Sequence, residues 1–145
     1  MKRTFVLDEN IIVAASMGSP NAFRLLALMA KNCHKIAVTS ELLLSYYSWM
    51  HRRERAQLSE VPKLLDQLTH HSEKCVFVPP EELQQDSMVP LRHQKDVFLV
   101  RIARAIRPNP ALVVLMDKGT WEDINTKTEV TALTLQKAIA YAEQV

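Results

Sequence analysis

Short apolar runs alternate along the chain with longer segments in which apolar residues recur every three or four positions. The short runs have the length and composition of buried strands, and they lie at 4–7, 35–39, 75–78, 112–116 and 130–133. The longer segments predict helices, at 11–16, 20–32, 40–53, 56–71, 95–107 and 135–144. This order predicts one α/β domain over 1–145, a three-layer sandwich with a central, mostly parallel sheet of about five strands.

Local signals refine some of these boundaries. Ser19 suits the N-cap of a helix and Pro20 its first position, and we expect Ser40 to cap the next long helix. The polar stretch 81–90 is expected to be a loop or a short helix. No element is predicted between 117 and 130, where Gly119 would let the chain turn sharply.

Composition excludes several classes of phosphate-binding protein. The chain has 145 residues and only two glycines, Gly18 and Gly119, which lie far apart. A P-loop and a dinucleotide fingerprint each need two or three glycines within about eight residues, so neither can be present. The formal charge of +2 neither requires nor excludes a nucleic-acid partner.

Cysteine usage and hydropathy bear on the compartment. Cys33 and Cys75 lack the spacing of a zinc site, and we expect reduced core thiols, with a single disulfide as the alternative. The apolar run after Lys2 and Arg3 is interrupted at 8–10, which is unlike a signal peptide. No apolar run approaches the roughly 18–20 residues of a membrane span. We therefore expect a cytoplasmic protein.

Three acidic residues occupy positions where parallel α/β sheets place functional sites. Asp8 follows the first strand, Asp117 follows the fourth, and Asp96 opens the helix between them. Carboxylates that meet at one sheet edge repel one another unless a cation lies among them, and Mg²⁺ or Mn²⁺ suits oxygen ligands. The alternatives are structural roles. Asp96 could stabilise a helix by interacting with the positive end of its dipole, and Asp117 could be a turn residue.

These residues give the sequence a resemblance to the PIN domain, the family of metal-dependent ribonucleases that includes the toxins of VapBC toxin–antitoxin pairs. The resemblance spans residues 4 to about 120 and rests on four segments in the family's order. They are VLDEN at 6–10, VTSELL at 38–43, the pattern D-x-x-L with a later alanine at 96–103, and VVLMDK at 113–118.

The sequence departs from the family pattern at three positions. Most members carry a glutamate where this chain has Ser45, and Glu41 lies one helical turn earlier. Thr or Ser is usual where this chain has Leu115, and a small residue or Thr is usual where it has Glu9.

The resemblance implies a nuclease, a hydrolase that cuts RNA phosphodiester bonds with the help of a bound metal. Asp8, Asp96 and Asp117 would bind magnesium or manganese, Glu41 could add a further metal-binding carboxylate, and Asn10 would orient Asp8 or a metal-bound water. The implied partners are RNA, an antitoxin protein and a second copy of the chain in a homodimer.

Basic residues could guide RNA to those carboxylates. The candidate RNA-binding residues are Arg52, Arg53, Arg92, Lys95, Arg101 and Arg104. A solvated helix face is the alternative for the stretch 92–107. Tyr46, Tyr47 and Trp49 could stack on bases, but their helical spacing is more typical of a core or a dimer interface.

Two other functions fit parts of the pattern. The acidic pair Asp8-Glu9 resembles that of response-regulator receiver domains, but no aspartate ends the third strand, where Val78 runs into Pro79 and Pro80. The stronger alternative is a catalytically weakened PIN-fold module that binds RNA or a protein partner, because Ser45 and Leu115 replace residues that the family uses.

Overall fold

A computed structural model describes residues 2–51, 60–71, 73–83 and 91–144 of the chain. In these ranges five strands form one sheet in the order β3-β2-β1-β4-β5, and every neighbouring pair is parallel. Their bounds are Thr4–Leu7 (β1), Lys35–Val38 (β2), Cys75–Phe77 (β3), Leu112–Val114 (β4) and Ala132–Leu133 (β5). The predicted α/β class is confirmed, and the sheet is entirely parallel.

Helices cover both faces of the sheet. Their bounds are Glu9–Ser16 (α1), Pro20–Lys31 (α2), Ser40–His51 (α3), Glu60–Thr69 (α4), Gln94–Arg104 (α5), Lys118–Lys127 (α6) and Leu135–Ala142 (α7), with a 3₁₀ turn at Pro80–Glu82. The helices α1 to α4 pack on one another and α7 packs against α2. The helix α5 packs on β1, β2 and β4 and contacts α6. The molecule is therefore the three-layer sandwich expected from the pattern.

The strand β1 lies at the centre of the sheet and of the core. Phe5, Val6 and Leu7 are completely buried, and so are Val113 and Val114 of the neighbouring β4. Both faces of these strands are covered, which is why their sequences are continuously apolar rather than alternating. The chain passes from β1 outward to β2 and β3, then returns across β1 to form β4.

The helices α1 and α2 form a sharply bent pair. Ser19 accepts a hydrogen bond from the N–H of Ala22 at 3.3 Å and Pro20 is the first residue of α2, as predicted. The two helix axes differ by 112°. No single helix in the described ranges is long and apolar enough to cross a membrane, and this bent pair meets that test only when its two halves are combined.

The structure corrects three local predictions. The cap of α3 is Thr39, whose hydroxyl accepts from the N–H of Leu42 at 3.1 Å, and Ser40 is the first helical residue. The unpredicted helix α6 begins directly after Asp117, so Gly119 lies in a helix and not in a sharp turn. The sequence hid α6 because its glycine, threonines, asparagine and aspartate are weak helix formers. The predicted helix segments 52–53 and 56–59 lie outside the described residues.

Both cysteines are free thiols, as expected, but only one is sheltered. Cys75 is half-buried on β3, and burial raises the pKa of its thiol. Cys33 is exposed, so its predicted core position is wrong. It follows the end of α2 with φ at 58°, and the next N–H, that of His34, donates to the carbonyl of Met29 at 3.0 Å. These are the features of a Schellman helix end.

His34 is a completely buried histidine that ties the amino end of β1 to the end of α7. Its Nδ1 accepts from the N–H of Arg3 at 3.0 Å, and its Nε2 lies 3.0 Å from the carbonyl oxygen of Ala142. The bond from Arg3 requires an unprotonated Nδ1, so the neutral tautomer carries its proton on Nε2. Burial lowers the pKa of His34 below its ordinary value of 6.5.

We expect the free energy of unfolding to fall as the pH drops below about 6.5, the ordinary pKa of histidine. Below this pH His34 binds a proton in the unfolded chain but not in the folded protein. The contribution of His34 to the free energy of unfolding is therefore complete above this pH and declines until the folded pKa is reached. Urea unfolding of the wild type and of His34→Gln between pH 7.5 and pH 5 tests this. Equal pH slopes for the two proteins would contradict it.

Candidate active site

Asp8 is fixed by the most buried strand of the sheet. It directly follows β1, and its N–H donates to the carbonyl of Val114 at 3.1 Å, which extends the pairing of β1 with β4. Asp8 occupies the N-cap position of α1, yet its side chain makes no capping hydrogen bond. The residue is only 6% exposed. A buried carboxylate that leaves its own helix uncapped is not explained by helix stability.

The other two predicted carboxylates reach the same place. The strand order reverses between β1 and β4, and ligand sites in parallel sheets form outside the carboxyl ends of strands at such a point. Asp8, Asp96 and Asp117 all line one cavity of about 260 Å³ there. The remaining lining residues are Asn10, His93, Lys95, Leu115 and Thr120.

The carboxylates destabilise one another's charge. Burial raises the pKa of Asp8, and the ammonium of Lys95 only partly offsets this. Burial also raises the pKa of Asp96, which His93 opposes and which the charges of Asp8 and Asp117 reinforce. The site therefore holds negative charge in a poorly solvated place, where a bound cation would be strongly favoured.

Lys95 supplies one cation to this cluster. Its Nζ lies 2.6 Å from Oε1 of Glu9 and 3.4 Å from Oδ1 of Asp8. The contact with Asp8 is an ion pair without the alignment of a hydrogen bond, and Oδ1 of Asp8 accepts no hydrogen bond although it is buried. Burial opposes the charge on Lys95, but the bond to Glu9 and the charges of Asp8 and Glu9 outweigh it and raise its pKa.

Two of the departures from the family pattern are in contact with each other. Ser45 on α3 donates its hydroxyl hydrogen to Oε2 of Glu9. Glu9 and Ser45 line a second cavity of about 220 Å³, which also borders Asp8, Lys95 and Glu41. Where the family places a glutamate, this chain thus has a serine that binds the carboxylate of Glu9.

Asp117 has a structural role as well as a place in the cavity. Its side chain accepts from the N–H of Gly119 at 3.2 Å, which caps α6. Its other oxygen accepts from the hydroxyl of Thr120 at 3.0 Å. A hydroxyl on α6, that of Thr120, thus lies beside Asp117. Leu115 itself is buried in the cavity wall.

The remaining candidates lie around these carboxylates. Asn10 is exposed and lines the first cavity, and Glu41 is exposed and lines the second. Asp8 and Lys95 line both cavities, so they stand between Asn10 and Glu41.

The candidate RNA-binding residues have different surroundings. Lys95 belongs to the carboxylate cluster, and Arg104 makes two hydrogen bonds to Glu129, of 2.6 and 2.8 Å. Arg92 lies beside a small cavity that Asp96 and Asp117 border. Arg101 lines a separate cavity of about 310 Å³ with Arg104 and Arg107. Arg52 and Arg53 lie outside the described residues. The side chain of Trp49 is likewise outside the described part of the structure.

Tyr46 and Tyr47 are structural in this fold. Tyr46 is completely buried and donates its hydroxyl hydrogen to the carbonyl of Leu7. The hydroxyl of Tyr47 donates to Asp66 on α4, and the pKa of Tyr47 rises to about 12 through burial and this carboxylate. Base stacking is therefore excluded for Tyr46 in this conformation.

The donor chemistry of the cavity suits a hard divalent ion, but the side chains are not closed around one. Asp8, Asp96 and Asp117 offer carboxylate oxygens, and Oδ1 of Asp8 is buried without a hydrogen bond. In the part of the chain that the structure describes, no three His, Cys, Asp or Glu side chains are already arranged to hold an ion. The arrangement thus fits a metal only if Lys95 gives way and the carboxylates draw closer.

Sequence reasoning missed four residues of this region. They are Glu9, His93, Lys95 as a carboxylate partner, and Thr120. Glu9 and Lys95 are each adjacent in sequence to a predicted ligand, Asp8 and Asp96, which was the available signal. Nothing in the local pattern singles out His93, and Thr120 lies on α6, which was not predicted.

The sequence matches no protein-family model, and it has no significant match among curated proteins. The feature of the molecule that bears on its function is the cavity with its three carboxylates.

Proposed function

We propose that this protein is a metal-dependent endoribonuclease of the PIN type, which hydrolyses RNA phosphodiester bonds. The observation that carries the proposal is the convergence of Asp8, Asp96 and Asp117 on one cavity at the point where the strand order reverses. Burial raises the pKa of Asp8, to which the charge of Glu9 adds, and burial together with the charges of Asp8 and Asp117 raises the pKa of Asp96; a divalent cation would relieve both.

Asp8, Asp96 and Asp117 would hold the ion, and Glu41, which lines the second cavity with Asp8, would be a further carboxylate beside it. When bound there, Mg²⁺ or Mn²⁺ would activate water as a nucleophile and stabilise charge on a phosphate. The chain's own contribution is to position the ligands: β1 fixes Asp8, the first turn of α5 carries Asp96, and the cap of α6 holds Asp117.

Hydrogen-bond donors beside the cavity support an RNA substrate. Arg92 and His93 line a small neighbouring cavity together with Asp96 and Asp117, where they can contact the phosphates of a bound strand. Arg101 lies five residues further along α5 than Asp96 and about 140° around the helix axis from it, so it lines the separate cavity with Arg104 and Arg107 and not the cavity of the carboxylates.

Two substitutions of Asp117 separate its chemical role from its capping role. Asp117→Ser keeps a capping oxygen, whereas Asp117→Ala removes it and is expected to cost about 0.5–2 kcal/mol of unfolding free energy. Both remove the carboxylate, so both should abolish RNA cleavage in Mg²⁺ or Mn²⁺. The measurements are cleavage of a fluorescently labelled RNA and urea unfolding. A fully active Asp117→Ser protein would refute the proposed ligand set.

The second candidate is a PIN-fold module that has lost catalysis and binds RNA or a protein. The observation that favours it is Lys95, whose ammonium already neutralises part of the carboxylate cluster. Melting curves distinguish the two functions, because a nuclease must gain stability from Mn²⁺ through binding to the folded state. A module without a metal site would melt at the same temperature with and without Mn²⁺.

A further inference from the structure

We propose that Lys95 is an internal counter-ion, which a divalent metal must displace from Asp8 and Glu9 in order to bind. This inference rests on the proposed metal-dependent function and concerns the regulation of the same site. The side chain of Lys95 would then lower the affinity of the protein for the metal.

Lys95 lies between the carboxylates of Asp8 and Glu9. Its Nζ lies within 3.4 Å of Asp8 Oδ1 and within 2.6 Å of Glu9 Oε1, so it bridges the two carboxylates. The residue lines both cavities and stands between them. A cation bound to Asp8 from either cavity would meet the ammonium at close range, and like charges at such distances repel strongly.

Asp8 has a buried carboxylate oxygen that accepts no hydrogen bond. Its carboxylate is buried, and Oδ1 lacks a hydrogen bond even with Lys95 nearby. The ammonium therefore reduces the charge at Asp8 without satisfying its oxygen. A metal ion would provide the direct contact that is missing, since carboxylate oxygens are preferred ligands of hard divalent cations.

Movement of Lys95 needs no change in the fold. About half of its side chain is exposed, and it lies in the first turn of α5 on a flexible four-carbon stem. Glu9 would keep a partner after such a movement, because Ser45 also donates to it. The ammonium can thus turn towards solvent while the surrounding backbone stays in place.

The experiment is a calorimetric titration of the metal-free protein with MnCl₂ at constant ionic strength. Lys95→Met is expected to bind Mn²⁺ at least about tenfold more tightly than the wild type, equal to about 1.4 kcal/mol. Lys95→Arg keeps the charge and should stay close to the wild type. Lys35→Met is the matched control, since it makes the same change at the amino end of β2, across the sheet from the cavity.

A melting experiment gives an independent readout. Without metal, Lys95→Met should melt at a lower temperature than the wild type, because Asp8 loses its counter-ion. Saturating Mn²⁺ should raise its melting temperature by more than it raises that of the wild type. Lys35→Met should show the wild-type response to Mn²⁺.

The outcomes separate this inference from the proposed function. Equal Mn²⁺ affinities for the wild type and Lys95→Met would overturn the inference and leave the metal site intact. A tighter Lys95→Arg would also overturn it, because the charge would then be irrelevant. Binding only by Lys95→Met would support it, whereas no binding by any variant would overturn both proposals.

Discussion

Asp8→Asn is expected to abolish metal-dependent RNA cleavage while leaving the fold as stable as before or more stable. A metal supplies several kcal/mol of stabilisation to a reacting phosphate, and each 1.36 kcal/mol is tenfold in rate, so a loss of about a hundredfold or more is expected. Burial raises the folded pKa of Asp8, so its ionised form opposes folding at neutral pH. Asparagine removes that charge.

The matched control is Asp66→Asn, the same change on α4 outside the cavity. Asp66 contacts Tyr47 and His70 at the surface, so this variant should cleave RNA at the wild-type rate. Cleavage rates of labelled RNA in Mn²⁺ and urea unfolding of both variants give the comparison. If Asp8→Asn cleaved as fast as the wild type, the proposed site would be wrong.

Tyr46→Ala is expected to destabilise the protein by about 3–5 kcal/mol, and Tyr46→Phe by about 1–3 kcal/mol. The alanine leaves a cavity in the core, whereas the phenylalanine leaves the buried carbonyl of Leu7 without its donor. Burial raises the pKa of Tyr46 well above its usual range, so the phenol remains a donor at any working pH. Urea unfolding measures both losses.

Tyr47→Phe is the control for the loss of a hydroxyl at a less buried position. It removes the bond to Asp66 and should cost only about 0.5–1.5 kcal/mol. A Tyr46→Phe protein as stable as the wild type would contradict the structural role of the buried hydroxyl.

The sequence predicted the sheet well and the helix boundaries less well, for identifiable reasons. Apolar runs such as 4–7 and 35–39 are typical of strands buried on both faces, and the structure has strands at Thr4–Leu7 and Lys35–Val38. The helix α6 has little apolar periodicity and weak helix formers, so it could be recognised only after Asp117 was seen to cap it. Thr39 and Ser40 are both good caps, and sequence alone could not choose between them.

The gathering of the carboxylates at one sheet edge was predictable as far as strand ends determine it. Asp8 and Asp117 follow neighbouring parallel strands, and topology alone brings them to one edge. The role of Lys95 depends on where its long side chain turns in three dimensions, which no local pattern encodes. The contact between Glu9 and Ser45 joins residues 36 positions apart, so each looked like an isolated departure.

The burial of β1 also bears on how activity should respond to heat. Asp8 is anchored by a strand without exposed side chains at its carboxyl end and by its bond to Val114. Amide groups in such places exchange with solvent only when the whole domain opens. Thermal inactivation should therefore coincide with cooperative unfolding, with no earlier stage in which the chain is folded but Asp8 is misplaced.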